Sequence, residues 1–399
     1  MKSGFVAILG RPNAGKSTLI NALTGEKVAI VSAKPQTTQH RITGVVEVEA
    51  EKGVHPEAQI VFVDTPGVHK PGSQLDRRML QEVYEALETR DLVLVLMDAT
   101  RRVQLEEAAV VPDVLSAIEG GLESLVPESG PGAPVVGSSA FAGLEASAKA
   151  QAQMAASASA SKTDRTSWAS EDEFLFGLIR KLDSPVFLVL TQIDLVAKDM
   201  LLPLIDTLTK QFSFAEIIPI SARKRDGLDI LLRKIVDTLP TGERYYPKDQ
   251  YTDQPERFMV AELIRERILV ETGEEVPYAS AVVIERFEEP RPVSNRPRKK
   301  DAPPAKTPLT RIAAAIYCER DGQKAILIGK GGSKLKEIGT GARRQIESLL
   351  GTRVFLELHV IVEPNWRESK AFVESLDWRN QLERLTEASI SKEHLADDE

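Results

Sequence analysis

The stretch that most constrains this chain is Gly10–Ser17, which reads "GRPNAGKS". It follows an apolar run, "FVAIL", that predicts a buried strand, and it opens a helical pattern at Lys16. This is the G-x-x-x-x-G-K-[ST] motif in the strand–loop–helix context that it requires. Glycines let backbone N–H groups curl around phosphate oxygens, and the helix N-terminus adds donors and a positive dipole. The sequence therefore predicts a phosphate-binding loop, with Lys16 as the cation at the β- and γ-phosphates and Ser17 as a Mg²⁺ ligand.

Strand and helix patterns alternate through the first half of the chain. The further apolar runs are "QIVFVD", "DLVLVLMD", "PVFLVL" and "EIIPIS", and helical patterns lie between them. This alternation predicts an α/β fold with a mostly parallel sheet and helices on both faces. Ligands of such sheets bind beyond the carboxyl ends of the strands.

Two further motifs fit the same site. "DTPG", Asp64–Gly67, ends a predicted strand. Asp64 is expected to hold Mg²⁺ through water, and Gly67 lets a backbone N–H approach the γ-phosphate. In the polar loop "PQTTQHR", Thr38 is favoured over Thr37 as the residue that completes the Mg²⁺ shell when the γ-phosphate is present. Such a threonine makes an order–disorder switch.

The tetrapeptide Thr191–Asp194, "TQID", stands where guanine-nucleotide-binding proteins normally have Asn-Lys-x-Asp. Asp194 can accept from guanine N1–H and the 2-amino group, which adenine lacks. The usual asparagine donates toward N7 and braces the phosphate loop, whereas Thr191 offers one shorter hydroxyl and Gln192 a shorter, uncharged stem. We expect guanine preference to survive with affinity about ten- to a hundredfold weaker. "SAR", Ser221–Arg223, is expected to donate from its backbone to guanine O6.

The second half of the chain predicts a different domain, in the order helix, two strands, two short helices around a glycine turn, and strand. The turn "GKGG", Gly329–Gly332, is a G-x-x-G loop, which in KH domains clamps the backbone of about four nucleotides. Basic side chains follow on or near it and would add affinity that falls with salt. The alternative is a helix-linking turn with solvated lysines. The predicted RNA-binding residues are Gly329, Lys330, Gly331, Gly332, Lys334, Lys336, Arg343 and Arg344.

The predicted domain boundaries follow from composition. We predict a GTPase domain over 1–240, a linker over 241–256, a KH domain over 257–376 and a tail over 377–399. An Ala/Ser/Gly-rich insertion at about 119–172 has little bulky apolar surface, so we expect a disordered loop rather than a partner-binding element. A second, polar insertion lies at about 288–308 and contains "RPRKK", which is either an extra RNA contact or a solvated loop.

The composition narrows the class of protein. The net charge of −8 argues against a protein that coats nucleic acid along its whole surface, and the single cysteine, Cys318, allows no intramolecular disulfide. No uninterrupted apolar stretch approaches the roughly 20 residues that span a bilayer. The histidines form no ligand pattern, so we expect no transition-metal site.

The motifs together resemble the Era-like GTPases, a branch of the translation-factor-related GTPases. The resemblance covers both halves of the chain through "GRPNAGKSTLINAL", "QTTQHRI", "DTPGVHKP", "SAR", "YYPKDQYTDQPERFMVAELIRE" and "IGKGGSKLKEIG". It implies a GTPase domain followed by a type II KH domain. It also implies a GTP-controlled protein that binds the 3′ end of 16S rRNA during 30S subunit maturation.

The resemblance also assigns site residues. Val68 stands where Ras-like proteins carry a catalytic glutamine, so we name no general base and assign catalysis to Lys16, Thr38 and Gly67. Asn13 matches an asparagine that helps to hold K⁺ beside the phosphates. The expected nucleotide-binding residues are Gly10, Arg11, Pro12, Asn13, Ala14, Gly15, Lys16, Ser17, Thr18, Asp64, Thr65, Pro66, Gly67, Val68, Thr191, Gln192, Ile193, Asp194, Ser221, Ala222 and Arg223.

Further expectations rest on the resemblance alone. They are GTP and GDP as ligands, Mg²⁺ and K⁺ as cofactors, a monomer in the cytoplasm, and weak peripheral association with the inner face of the plasma membrane. Two other departures from the family pattern are Gln39, where an arginine is usual, and the long insertion before Pro185. The alternative function is a constitutive KH RNA-binding protein with a degenerate G domain that does not hydrolyse GTP.

Overall fold

The computed structural model describes residues 1–32, 34–69, 72–101, 171–273, 275–289 and 308–379. Most of the insertion predicted at 119–172, the greater part of the one predicted at 288–308, and the tail beyond 379 lie outside these ranges. So does the helical pattern predicted from Val103 to Ile118.

The first half forms a six-stranded sheet of order β2-β3-β1-β4-β5-β6. All neighbouring pairs are parallel except β2 and β3. The strands are β1 Lys2–Gly10, β2 Ile42–Val48, β3 Ala58–Asp64, β4 Leu92–Asp98, β5 Val186–Thr191 and β6 Glu216–Pro219. The helices of this half are α1 Lys16–Thr24, α2 Gln74–Glu88, α3 Glu171–Ile179, α4 Leu201–Thr209 and α5 Leu228–Thr238.

The core of this half lies on the central strands. Ile8 on β1, Leu94 on β4 and Val189 on β5 are fully buried, as expected for parallel strands covered on both faces. Burying each such side chain stabilises the fold by about 1.5–3 kcal/mol. The sheet therefore forms a rigid base, and its carboxyl ends carry the loops that hold the predicted site.

The second half forms a three-stranded sheet of order β7-β8-β9, in which β7 and β8 are antiparallel and β8 and β9 are parallel. Its elements are α6 Glu256–Glu271, β7 Ala281–Glu288, β8 Leu309–Cys318, α7 Asp321–Ile328, α8 Ser333–Leu350, β9 Arg353–Val362 and α9 Lys370–Ser375. The predicted order is found. However, the helix after the glycine turn is not short: α8 runs 18 residues, through Gly339 and Gly341. Ile264, Ile316 and Ile338 are fully buried and form part of the core of this half.

Helix α2 of the first half packs against residues that follow β9 in the second half. Leu75 and Met79 of α2 pack with Trp366 and Val373, which follow β9. Arg78 on the same helix pairs with Asp377 at 2.6 Å. The helix that follows the "DTPG" loop is thus held by the C-terminal elements of the second half.

Candidate functional site: a phosphate loop, a base-reading edge and a glycine loop

The phosphate loop folds back over its own lysine. Gly15 has φ 91°, a conformation that favours glycine, and α1 begins at the next residue. Lys16 is only 6% exposed, and its Nζ donates to the backbone oxygens of Gly10 and Arg11, both at 3.0 Å. A buried ammonium group at a helix N-terminus creates a strongly positive pocket.

Three predicted Mg²⁺ ligands come together beside Lys16. The hydroxyl of Ser17 is 2.8 Å from Asp64 Oδ2 and 2.8 Å from the hydroxyl of Thr38, which lies 3.4 Å from the same carboxylate oxygen. Thr37 instead donates its hydroxyl to the Lys34 carbonyl at 2.8 Å. The geometry thus separates the two threonines in the way the sequence favoured.

Asp64 has the electrostatics of a cation ligand. It is fully buried, and burial raises the pKa of its carboxyl to about 6 even though Lys16 and the Ser17 hydroxyl lower it. Within the described ranges its Oδ1 atom has no hydrogen-bond partner. A buried oxygen of this kind is costly unless something binds it, so the oxygen donor set fits a hard divalent cation such as Mg²⁺.

The loop after Asp64 approaches the phosphate loop closely. A Cβ at Gly67 would lie 2.8 Å from the Cα and N atoms of Pro12, so only glycine fits there. The Val68 amide donates to the Gly10 carbonyl at 3.1 Å, and the Val68 side chain is buried. Val68 therefore presents no group that could activate water.

His69 is held in place on both ring nitrogens. Its Nδ1 lies 2.9 Å from the Gly67 carbonyl and its Nε2 lies 2.9 Å from Asp76 Oδ1. Burial alone would raise the pKa of Asp76, but hydrogen bonds from His69, Gly72 and Ser73 lower it to about 2. This pairing orders the start of α2 and does not supply a general base.

The predicted base-reading residues lie at or just after the ends of β5 and β6. Ser221 donates its hydroxyl to Asp194 Oδ1 at 2.7 Å, which keeps the pKa of that carboxyl below its usual value. Asp194 is therefore an ionised acceptor held in one orientation. Thr191 donates its hydroxyl to the Ala14 carbonyl at 2.8 Å, so it braces the phosphate loop.

A cavity of about 570 Å³ connects these groups, which is in the size range of small-molecule sites. The predicted residues that line it are Pro12, Asn13, Gly15, Lys16, Ser17, Thr18, Thr38, Gly67, Thr191, Gln192, Asp194, Ser221, Ala222 and Arg223. The predicted nucleotide-binding residues outside its lining are Gly10, Arg11, Ala14, Asp64, Thr65, Pro66, Val68 and Ile193. Of these, Gly10, Ala14, Asp64, Thr65, Pro66 and Val68 are buried.

Several lining residues were not predicted from the sequence, namely Ile30, Val31, Ser32, Gln36, Thr37, Asp98, Thr100, Arg101 and Leu195. Asp98 could have been predicted from the sequence, because it is the last residue of β4 and ligands of such sheets bind beyond the carboxyl ends of the strands. Its Oδ1 accepts from the amide and hydroxyl of Thr100 at 2.9 and 2.7 Å. The residues between Ile30 and Gln36 have no such signal.

The loop that carries Thr38 also contacts α6 of the second half. Arg265, which is 3% exposed, donates to the Thr37 carbonyl and pairs with Glu262 on its own helix at 2.6 Å. Glu266 accepts from the Val31 amide at 3.1 Å and pairs with Lys27 at 2.5 Å. These contacts tie the predicted switch loop to the domain that carries "GKGG".

The glycine loop lies between α7 and α8. Gly329, Gly331 and Gly332 have φ values of 70°, 61° and 80°, which explains the residue type at each position. Lys330, Lys336, Arg343 and Arg344 are exposed. Lys334 is half-buried and pairs with Glu337 at 2.7 Å, so it is less available to a phosphate than its neighbours.

Two kinds of feature are absent from the described part of the chain. There, no group of three or more His, Cys, Asp and Glu residues is arranged to hold a metal ion. No helix in the same ranges is long and apolar enough to cross a bilayer.

The fold and site define a GTPase domain of the P-loop class followed by a KH domain. The model of the 50S ribosome-binding GTPase family matches residues 5–118, and the KH domain model matches residues 298–367. The chain belongs to the Era family of GTPases. It is 35% identical to the GTPase Era of Ruminiclostridium cellulolyticum over 95% of this chain and 98% of that one. It is 38% identical to that of Lacticaseibacillus paracasei over 95% of this chain and 97% of that one.

Two solved structures are similar along the whole chain. One is a variant of Aquifex aeolicus Era bound to GDP·AlF₄⁻, and the other is Era with MgGDPNP and nucleotides 1506–1542 of 16S ribosomal RNA. Each has a TM-score of 0.70 and 33% identity and covers 95% of this chain and 99% of that one. The predicted fold class and GTPase activity are confirmed, and the degenerate-G-domain alternative is not favoured.

Proposed function

We propose that this chain is a GTP-dependent switch whose KH domain binds the 3′ end of 16S rRNA and which assists 30S subunit maturation. The observation that carries the switch is the tie between the nucleotide site and α6. Thr38 lies at the predicted metal site, and the carbonyl of the preceding residue, Thr37, accepts from buried Arg265. A change in the loop on loss of the γ-phosphate therefore alters contacts of the KH domain directly.

Glu266 extends this tie to the helix that follows the glycine loop. Besides the Val31 amide and Lys27, it accepts from Gln345 Nε2 of α8 at 2.9 Å. One buried carboxylate thus binds the switch loop on one side and α8 on the other. The glycine loop, which α8 directly follows, is the part of a KH domain that clamps the nucleotide backbone.

The chemistry of hydrolysis follows from the same residues. We propose that Ser17, Thr38 and Asp64 hold Mg²⁺, the cation named in one of the similar Era structures. When bound, Mg²⁺ neutralises charge on the β- and γ-phosphates. Lys16 and the Gly67 backbone N–H stabilise charge that develops on the phosphoryl oxygens. No side chain is assigned as general base.

Other proposals rest on the family resemblance. We propose a K⁺ ion beside the phosphates, held in part by Asn13, which hydrolysis measured in K⁺ and in Na⁺ tests. A monomeric state, a cytoplasmic location and peripheral membrane association are supported only by the resemblance. Sedimentation and flotation with anionic vesicles test the first and last of these.

The coupling predicts a variant that separates GTP binding from RNA control. Glu266→Gln removes the negative charge that pairs with Lys27 and replaces one of the two carboxylate oxygens that accept hydrogen bonds at this position. Allosteric couplings are typically about 5- to 150-fold. We expect the ratio of RNA affinities in the GDPNP and GDP states to fall at least threefold toward one, measured by fluorescence anisotropy with a 3′-terminal 16S rRNA oligonucleotide.

Glu256→Gln is the matched control, because Glu256 is exposed in the first turn of the same helix. It should leave the ratio unchanged. An unaltered ratio in Glu266→Gln would contradict the coupling. A loss of RNA binding in both nucleotide states would point instead to damage in the KH domain.

The glycine loop predicts the RNA contact itself. Lys330→Glu with Lys336→Glu reverses two exposed charges and avoids Gly331, where φ of 61° makes any side chain strained. Like charge repels phosphate, so RNA affinity should fall about tenfold or more, with a shallower salt dependence. GTP hydrolysis without RNA should stay within twofold of the parent.

Lys210→Glu with Lys370→Glu, at two exposed positions outside the glycine loop, controls for the same change in net charge. If the double variant bound RNA as the parent does, the glycine loop would not be the RNA site.

A further inference from the structure

Both residues that depart from the usual base-reading sequence are directed at the phosphate loop. Thr191 is 3% exposed, and its hydroxyl lies 2.8 Å from the Ala14 carbonyl and 3.4 Å from the Met97 carbonyl. A Cβ built on Gly15 would lie 3.8 Å from it, so the side chain packs against the loop. The amide of Gln192 lies 3.4 Å from the Asn13 carbonyl.

We infer that Thr191 is a positioning residue for the phosphate loop and donates no hydrogen bond to purine N7. Discrimination between guanine and adenine then rests on the N1, 2-amino and O6 positions. The inference rests on the proposed binding of guanine nucleotides and adds an insensitivity to N7 that a chain with the usual asparagine does not have.

The reason is the number of protons available. A threonine hydroxyl has one proton to donate, and both atoms within its reach here, the Ala14 and Met97 oxygens, are acceptors. Whichever carbonyl accepts this proton, the hydroxyl has no second proton to donate to a ligand. An asparagine amide has two protons and can serve the loop and a ligand together.

The other polar positions of guanine still have expected hydrogen-bond partners. Asp194, oriented by Ser221, is expected to accept from N1–H and the 2-amino group. Ser221, Ala222 and Arg223, whose backbone is expected to donate to O6, line the same cavity. N7 is an acceptor shared by guanine and adenine. Loss of the hydrogen bond to N7 therefore weakens nucleotide binding and does not change the preferred base.

The first test compares GDP with 7-deaza-GDP, in which a C–H group replaces N7. Both compete with a fluorescent GDP analogue on the full chain with Mg²⁺. We expect the two dissociation constants to agree within twofold. Thr191→Asn should bind GDP more tightly and should bind 7-deaza-GDP about two- to tenfold more weakly than GDP.

A parent that bound 7-deaza-GDP at least fivefold more weakly than GDP would overturn the inference without any variant. A parent that bound neither nucleotide would overturn the proposed function as well. The two failures are therefore distinguishable.

The positioning role has its own readout. Thr191→Val keeps the shape but leaves the Ala14 carbonyl without its donor, so affinity for GDP and 7-deaza-GDP should fall by the same factor of about tenfold. Thr191→Ser retains the hydroxyl and should restore most of the affinity for both. Unchanged affinity in Thr191→Val would show that the hydroxyl does not position the loop.

Discussion

Lys16→Ala should lower the rate of GTP hydrolysis at least about a hundredfold, the range seen when one preorganised donor to a transition state is removed. The lysine is almost fully buried and lies at the N-terminus of α1. A water molecule that entered the space left by its side chain would not supply the missing positive charge. Its two hydrogen bonds to the Gly10 and Arg11 carbonyls are also lost, so nucleotide affinity should fall with the rate. Single-turnover phosphate release at saturating GTP measures the first effect, and competition binding measures the second.

Lys210→Ala is the control, because Lys210 is exposed on the same domain and its salt bridge within the described residues is with Asp206 at 2.6 Å. It should hydrolyse GTP at the parent rate. Thermal unfolding of both variants shows whether the domain remains folded. A Lys16→Ala protein that is folded and turns over GTP within threefold of the parent would remove this lysine from the phosphate site.

The local motifs were predictable because their geometry is set within a few residues. Gly15 and Gly67 are required by a positive φ and by a close backbone approach, and both requirements are met by short sequence signatures. The strands β1, β3, β4, β5 and β6 were predictable because buried parallel strands are continuous apolar runs. The order of elements in the KH half was predictable because the glycine turn and other turn-rich segments separate its helical and strand patterns.

Other elements carried weaker signals. The strand β2 was not predicted; it is an antiparallel edge strand whose run "ITGVVEV" is interrupted by glycine and glutamate. The helix α3 was not predicted either, because it begins at Glu171, inside the range assigned to the insertion. The domain boundaries and the individual site residues stay predictions.

The junction between the switch loop and α6 could not be predicted from local sequence. Glu262, Arg265 and Glu266 are charged residues of types that usually lie at the surface, yet all three are buried. Arg265 and Glu266 have partners about 230 residues away, namely the Thr37 carbonyl and the Val31 amide. Only the tertiary fold brings these groups together, and that contact is what makes coupling between the two domains possible.

Asp194→Asn should reverse the base preference from guanine to xanthine. In the parent, the carboxylate accepts two N–H bonds from guanine, and charge-assisted bonds of this kind are worth about 1.5–3 kcal/mol each. The 2-oxo group of xanthine is an acceptor, which an amide can serve and a carboxylate repels. We expect the ratio of XTP to GTP affinities to rise at least about a hundredfold.

The hydrogen bond from Ser221 should hold the substituted side chain in the orientation of Asp194. Its hydroxyl donates to Oδ1 at 2.7 Å, so the amide oxygen of Asn should take that place and the NH₂ group should replace Oδ2 on the ligand side. Competition binding with GTP, XTP and ATP measures the switch, and Asp199→Asn, at an exposed position nearby, is the control. ATP affinity should remain low in every variant, because adenine has neither partner for this residue. An unchanged guanine preference in Asp194→Asn would mean that "TQID" does not read the base.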